Sequence, residues 1–196
     1  MLISTYDTPS GVPFRPVPKT GSTSLRHALY QAMFVSRARD GTHHRRHVTA
    51  LESSRRLRSS TTVHMLVREP MTRFLSSLAH LSIQNVDDVL TDLEDYAGGA
   101  AREDLRVLNT RDTLWHIIPV QHWLPEVGAL YRFPQHVPEL CVALGLKNGL
   151  RKVNEATNDK PVLTGAQLAR ARKVFAADID LYESIKVPGQ TFNKHA

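Results

Sequence analysis

Two periods govern the apolar positions of this chain, and the switches between them mark its elements. Apolar runs at residues 12–17, 62–67 and 129–133 are short and read as strands. Leu25, Ala28, Leu29, Ala32 and Met33 instead recur at helical spacing, which predicts a helix reaching about residue 36. Phe74, Leu75, Leu78 and Leu81 repeat that spacing directly after the second strand. Residues 87–96 look helical, with Gly98-Gly99 as a stop signal. Pro134 opens a further predicted helix that stops at Gly145, and a long amphipathic helix runs from Thr164 to Glu183. A polar loop at 37–46, a short helix at 48–58 and a loop at 147–163 complete the map, while residues 100–126 show no clear period. Strands alternating with helices predict an α/β fold, a parallel sheet flanked by helices. At 196 residues the simplest expectation is a single domain with its core between about 12 and 185.

One junction carries unusual chemistry. Pro18-Lys19-Thr20-Gly21-Ser22-Thr23-Ser24-Leu25 packs a lysine, a turn-forming glycine and a run of hydroxyls against the start of a helix. Glycine lets the backbone approach a ligand, and the N–H groups of a helix start point at negative charge. The hydroxyls and Lys19 add donors and a mobile cation, so the pattern reads as an anion cradle. It is not a Walker A loop, because Lys19 precedes Gly21 instead of following the second glycine of that motif. The plain alternative is a capped helix start after a proline-rich turn, over which the octet alone favours the phosphate reading only moderately.

A second junction repeats the arrangement. Val63-His64-Met65-Leu66-Val67 reads as a buried strand that runs into Arg68-Glu69-Pro70-Met71-Thr72-Arg73-Phe74-Leu75-Ser76. Pro70 suits the first turn of a helix, where its missing N–H costs nothing. Arg68 then stands at the strand's carboxyl end, where open α/β sheets bind ligands, with Ser76 about two turns into the helix. The plain alternative is that Arg68 pairs with Glu69 or Asp87 and that Ser76 faces solvent.

In this order the two junctions resemble the 5′-phosphosulfate loop and the 3′-phosphate motif, Arg-x-Pro-x-x-Arg-Phe-x-Ser, of sulfotransferases. That family uses 3′-phosphoadenosine 5′-phosphosulfate (PAPS) as donor. The resemblance implies a P-loop-like α/β domain in which Lys19, Thr20, Gly21, Ser22, Thr23 and Ser24 hold the phosphosulfate. It further implies that Arg68 and Ser76 hold the 3′-phosphate. Trp115 to Leu124 is similar to a Pro-x-Gln aromatic segment of the carbohydrate-type branch. Asp178, Asp180, Leu181 and Tyr182 resemble that branch's C-terminal ending. The likeness spans most of residues 12–185, with only the first two motifs specific. It implies sulfuryl transfer to an acceptor hydroxyl, a carbohydrate being the favoured acceptor, with no metal.

Such a transfer also needs a base near neutral pH, which favours histidine or glutamate. His47 stands where related sequences show His-x-x-Ala, and is the candidate general base beside a catalytic Lys19; His44 is the alternative. His43 and His47 are four apart, but neighbouring arginines and the lack of an acidic or cysteine partner argue against a metal site. Trp115, Trp123 and Tyr131 are candidates for stacking or for core packing, and Lys152 and Lys160 for a further phosphate contact.

Composition narrows the partners. The formal charge is +6, and Arg37, Arg39, Arg45, Arg46, Arg55, Arg56 and Arg58 crowd one stretch. That field suits the anionic donor and an acidic saccharide. The stretch lacks interleaved aromatics and any known docking module, which counts against nucleic acid. Cys141 is the single cysteine, which excludes an internal disulfide and fits a reducing compartment. It sits on an apolar stripe with Val137, Leu140 and Leu144 and reads as core. No apolar run approaches a membrane span and no signal-peptide pattern is present. Since the animal carbohydrate sulfotransferases it resembles carry a membrane anchor, the resemblance then implies a cytoplasmic enzyme of a microbe or virus. Two rival readings fit parts of the chain: a nucleotide-dependent kinase on a P-loop-like fold, and a non-catalytic relative that binds a nucleotide or polyanion.

Overall fold

The computed structural model describes residues 5–6, 8–25, 27–29, 32, 62–147, 150 and 159–194. The expected loop at 37–46, the helix at 48–58, the arginine-rich stretch, His43, His44, His47 and Lys152 lie outside the described residues. The chain gathers into two compact units, each drawn from separate segments. One comprises Met1–Val67, Trp123–Asn154 and Ile185–Ala196; the other comprises Arg68–His122 and Glu155–Ser184. Among the described residues no helix is long and apolar enough to cross a membrane.

The fold is α/β, with an open, mostly parallel sheet of four strands in the order β1-β2-β3-β4. These are β1 (Phe14–Arg15), β2 (Val63–Arg68), β3 (Val127–Phe133) and β4 (Gln190–Asn193). β1 is far shorter than the expected 12–17, and the prolines explain it. Pro13 and Pro16 bracket the strand and neither has an N–H to give to a ladder. The pairing that survives is parallel, Phe14 opposite His64 and Arg15 opposite Met65, with the His64 N–H donating to Pro13 O at 2.8 Å. Each such bond contributes about 1 kcal/mol net. Phe14 is fully buried, a gain of about 2–3 kcal/mol. With the Tyr6 N–H donating to Phe14 O and the Phe14 N–H to Tyr6 O, the backbone bonds and the burial of Phe14 are of similar size and together keep β1 in place.

Behind Phe14 the sheet unit builds one apolar cluster with Leu25, Leu29, Leu66, Ala129, Tyr131, Leu140, Cys141 and Leu144. Leu25 and Leu29 come from the first helix, α1 (helical at 22–25, 27–29 and 32), and Leu140 and Cys141 from α5 (Val137–Ala143). Cys141 is thus a buried core thiol, raised above its ordinary pKa mainly by burial. The helix at 137 begins later than expected. Pro134 follows a cis peptide bond and lies in the turn, and Pro138 instead occupies the first helical turn. β4, which the periodicity did not suggest, pairs antiparallel with β3 from Val127–Asn193 to Leu130–Gln190.

The helical unit holds α2 (Pro70–His80), α3 (Val86–Ala97), α4 (Arg111–Ile117), α6 (Gly165–Val174) and α7 (Ala176–Ser184). α3 ends at Gly98 as expected. Thr164 opens α6 with a reciprocal cap: its Oγ1 accepts the Gln167 N–H at 3.2 Å, and Gln167 Oε1 accepts the Thr164 N–H at 3.0 Å. The expected single helix from 164 to 183 breaks at Phe175, whose ring packs against Phe74 at 5.2 Å. The Asp92 carboxylate, 1% exposed, accepts the N–H groups of Arg106, Val107 and Leu108 at 2.9, 2.7 and 2.8 Å. This staple orders part of the segment that showed no period.

On the sheet, His64 Nδ1 and the Tyr131 hydroxyl are hydrogen-bonded at 3.0 Å, their rings stacked at 5.6 Å. Burial lowers the His64 pKa below its ordinary 6.5. A group lowered on folding contributes stability that is fully present above its unfolded pKa and is lost as pH falls through the folded one. The urea midpoint should therefore decline as pH drops from above 6.5 through the folded pKa. His64→Gln should decline less steeply over that range. Parallel wild-type and variant profiles would remove His64 from this linkage.

Candidate functional site

The segment after β1 adopts an unusual backbone. Lys19 has φ 62° and Gly21 has φ 76°, while Thr20 between them lies at negative φ. Alternation of hand along successive residues turns their N–H groups toward one side and forms an anion-binding concavity. For glycine the left-handed conformation is free of strain, but for Lys19 it costs about 1–2 kcal/mol. Something must hold it. Thr20 is fully buried and its hydroxyl donates to Val17 O at 2.7 Å, closing the turn from inside. Gly21 O accepts the Leu25 N–H at 3.1 Å, which makes Gly21 the residue that caps α1. Ser22, Thr23 and Ser24 then fill the first turn, whose N–H groups have no carbonyl partner within a helix. All three are partly exposed.

This geometry revises the part given to Thr20. A threonine hydroxyl has one proton to donate, and here Val17 O receives it. Thr20 therefore offers an anion its backbone N–H only, while the hydroxyls of Ser22, Thr23 and Ser24 lie on the first turn of the helix.

At the second junction Arg68 is the last residue of β2, half-buried. Burial pulls its pKa down and the Glu69 charge pushes it back. The Glu69 carboxylate is itself engaged: Oε1 accepts the Met71 N–H at 3.0 Å and Oε2 the Thr72 N–H at 2.6 Å, capping α2 ahead of Pro70. Asp87, the other acid considered for Arg68, pairs with Arg170 at 3.2 Å. Adjacent serines on α2 divide in the same way. The Ser77 hydroxyl donates within hydrogen-bond reach of Arg73 O at 3.0 Å and His116 O at 2.7 Å. Ser76 is buried, 5% exposed, yet among the described residues no hydrogen bond holds its hydroxyl.

The motif's second arginine has a different task. Arg73 is 1% exposed and donates to His116 O and Ile118 O. Its pKa is lowered to about 10, chiefly by burial, with the Asp178 charge acting against that shift. Asp178 is equally buried and accepts the N–H groups of Val120 and Gln121. Burial raises its pKa, and the Val120 N–H and Arg73 oppose the rise. Arg73 and Asp178 thus tie α2 and α7 to residues 116–121. Periodicity placed neither in the core. The available signal was Arg73 standing one position before Phe74, on the inward side of α2.

The aromatic candidates are committed to packing. Trp123 is 2% exposed and its carbonyl accepts from Arg15 Nη1 at 2.9 Å. Tyr131 is 5% exposed and bonded to His64. Arg111 covers the Trp115 ring at 4.4 Å, a cation–π contact. Lys160 is exposed on the loop before α6. Among the described residues no group of three His, Cys, Asp or Glu side chains is arranged to hold a metal ion.

No protein-family model matches this chain, no curated protein matches it, and no solved structure matches its fold.

Arg73→Ala should lower unfolding stability by about 2–5 kcal/mol, because it empties a fully buried site and takes the donor from the carbonyls of His116 and Ile118. The Arg73→Ala/Asp178→Asn pair should recover part of that loss in urea denaturation. Strict additivity of the two single changes would show that the groups do not interact.

Proposed function

We propose that this protein is a sulfotransferase that moves a sulfuryl group from PAPS to an acceptor hydroxyl, with a carbohydrate as the favoured acceptor. The observation that carries the reading is the alternating backbone at Lys19, Thr20 and Gly21 running into α1. A backbone that alternates in this way is of the kind that turns N–H groups toward an anion, and it stands where the sequence resembles a phosphosulfate loop. Ser76, unlike Ser77, keeps a hydroxyl that packing does not use, which supports its part with Arg68 on the 3′-phosphate. A P-loop-like relationship and a cytoplasmic setting belong to the same reading, the latter supported by the unpaired Cys141.

In the proposed reaction an acceptor oxygen attacks sulfur as the bond from sulfur to the bridging phosphate oxygen breaks. The leaving group is 3′-phosphoadenosine 5′-phosphate (PAP), and its growing negative charge is met by Lys19 and the cradle N–H groups. His47 takes the acceptor's proton, with His44 as the alternative base. The direct test is incubation with 35S-labelled PAPS and a panel of saccharides, lipids and small alcohols. Transfer of label to none of them, with no PAP binding, would remove the reading.

Arg68→Ala should weaken PAP far more than it weakens adenosine 5′-phosphosulfate, which lacks the 3′-phosphate. Calorimetry on both ligands checks this, and equal losses would show that Arg68 does not read that phosphate.

His47→Ala should lose about a hundred- to ten-thousandfold in turnover while PAP still binds. The wild-type rate should fall as pH drops and the imidazole becomes protonated. Near-normal turnover in the variant would transfer the base to His44 or to an acid.

A further inference from the structure

The anion cradle rests against an aromatic ring that no motif identifies. A Cβ added at Gly21 would lie 2.9 Å from Cε2 of Phe133 and 3.4 Å from Cδ2, so the ring edge fills the space where a side chain would begin. Phe133 is the last residue of β3 and packs against the apolar cluster behind Phe14, Leu25 and Leu66. One end of the ring is therefore anchored in the core of the sheet unit while its edge meets the residue that caps α1. This matters because the cradle is built from a strained residue. Lys19 stays left-handed only while its neighbours leave it no alternative. The Thr20 hydroxyl bond to Val17 O closes the turn around Lys19. Phe133 meets the next residue along, Gly21.

We propose that Phe133 is a positioning residue for the cradle: its ring holds Gly21, and through it the alternating N–H groups, in the anion-binding arrangement. The aromatic edge does not touch the anion in this account. Shortening it opens space beside Gly21, and the left-handed turn then relaxes toward ordinary backbone conformations. The inference rests on the cradle's proposed role toward PAPS, but its structural half can be tested without any ligand.

Amide hydrogen exchange of the ligand-free protein reads the Leu25 N–H, which bonds to Gly21 O, against the Leu93 N–H within α3, outside the cluster that Phe133 packs on, as control. Phe133→Ala should speed exchange at Leu25 by about tenfold relative to the control, and Phe133→Leu should do so much less. Calorimetry with PAP should then show an affinity loss of about ten- to a hundredfold for Phe133→Ala, with Phe133→Leu again intermediate. Gly21→Ala should be partly rescued in exchange and in PAP affinity when combined with Phe133→Ala, because the clash is removed while the φ strain remains. Unchanged exchange at Leu25 in Phe133→Ala would overturn the inference whether or not PAP binds. Faster exchange with unchanged PAP affinity would overturn it as well. If the wild type binds no PAP, the sulfotransferase reading falls. A rise at Leu25 together with the Gly21→Ala rescue in exchange would still support Phe133 as the group that positions the turn.

Discussion

Parallel pairing of Phe14 with His64 and of Arg15 with Met65 is the constraint on which the sheet unit depends. Two strands that run the same way release their chains from the same end of the sheet. The segment that carries Lys19 follows β1, and Arg68 closes β2, so each basic residue belongs to a carboxyl end. The pairing is brief because prolines flank β1, and it persists because Phe14 is buried and its backbone is bonded to Tyr6. Pro16 and Pro18 then stiffen the short path from β1 to Lys19. A chain that must turn so soon after a strand has little freedom in where Thr20 and Gly21 are placed. This makes the fully buried Thr20 and its bond to Val17 O an expected companion of the short strand.

Polar groups in this protein divide between those that packing uses and those that it leaves available. Glu69 caps α2 with both carboxylate oxygens, Asp92 holds three N–H groups, and Asp178 holds two more. Among the described residues Ser77 is bonded and Ser76 is not, although they are neighbours on one helix. The first turn of α1 at Ser22, Thr23 and Ser24 is partly exposed, and helix geometry alone gives its N–H groups no intrahelical carbonyls.

The sequence was legible wherever one local rule ruled. β2 and β3 were visible as apolar runs, and Gly98 as the end of α3. Thr164 was likewise visible as the start of α6. It misled where a tertiary demand overrode the local pattern. Phe175 fits a continuous helix, yet its contact with Phe74 coincides with the break into α6 and α7. Pro134 has the look of a first helical residue, but it lies in the turn and Pro138 takes that place. β4 had a weak signal, a Pro188-Gly189 turn before Thr191 and Phe192, and its pairing with β3 comes from a distant part of the chain. The left-handed Lys19 was not legible at all, because lysine carries no preference for that conformation.

The two arginines of one motif show what a spacing pattern does and does not encode. Arg68 and Arg73 are five positions apart, and both were read from the same nonapeptide. Arg73 is sealed among the carbonyls of His116 and Ile118, with its pKa lowered to about 10. Arg68 stands half-buried at the end of a strand, beside an acid whose oxygens cap the next helix. Identical side chains thus take opposite parts because the strand end and the inward helical face differ in what they offer a guanidinium. At the strand end Arg68 keeps partial access to solvent. On the inward face, carbonyl oxygens at the end of α4 leave no such opening. A pattern of residue types locates the junction; the element that carries each arginine decides how deeply its guanidinium is buried.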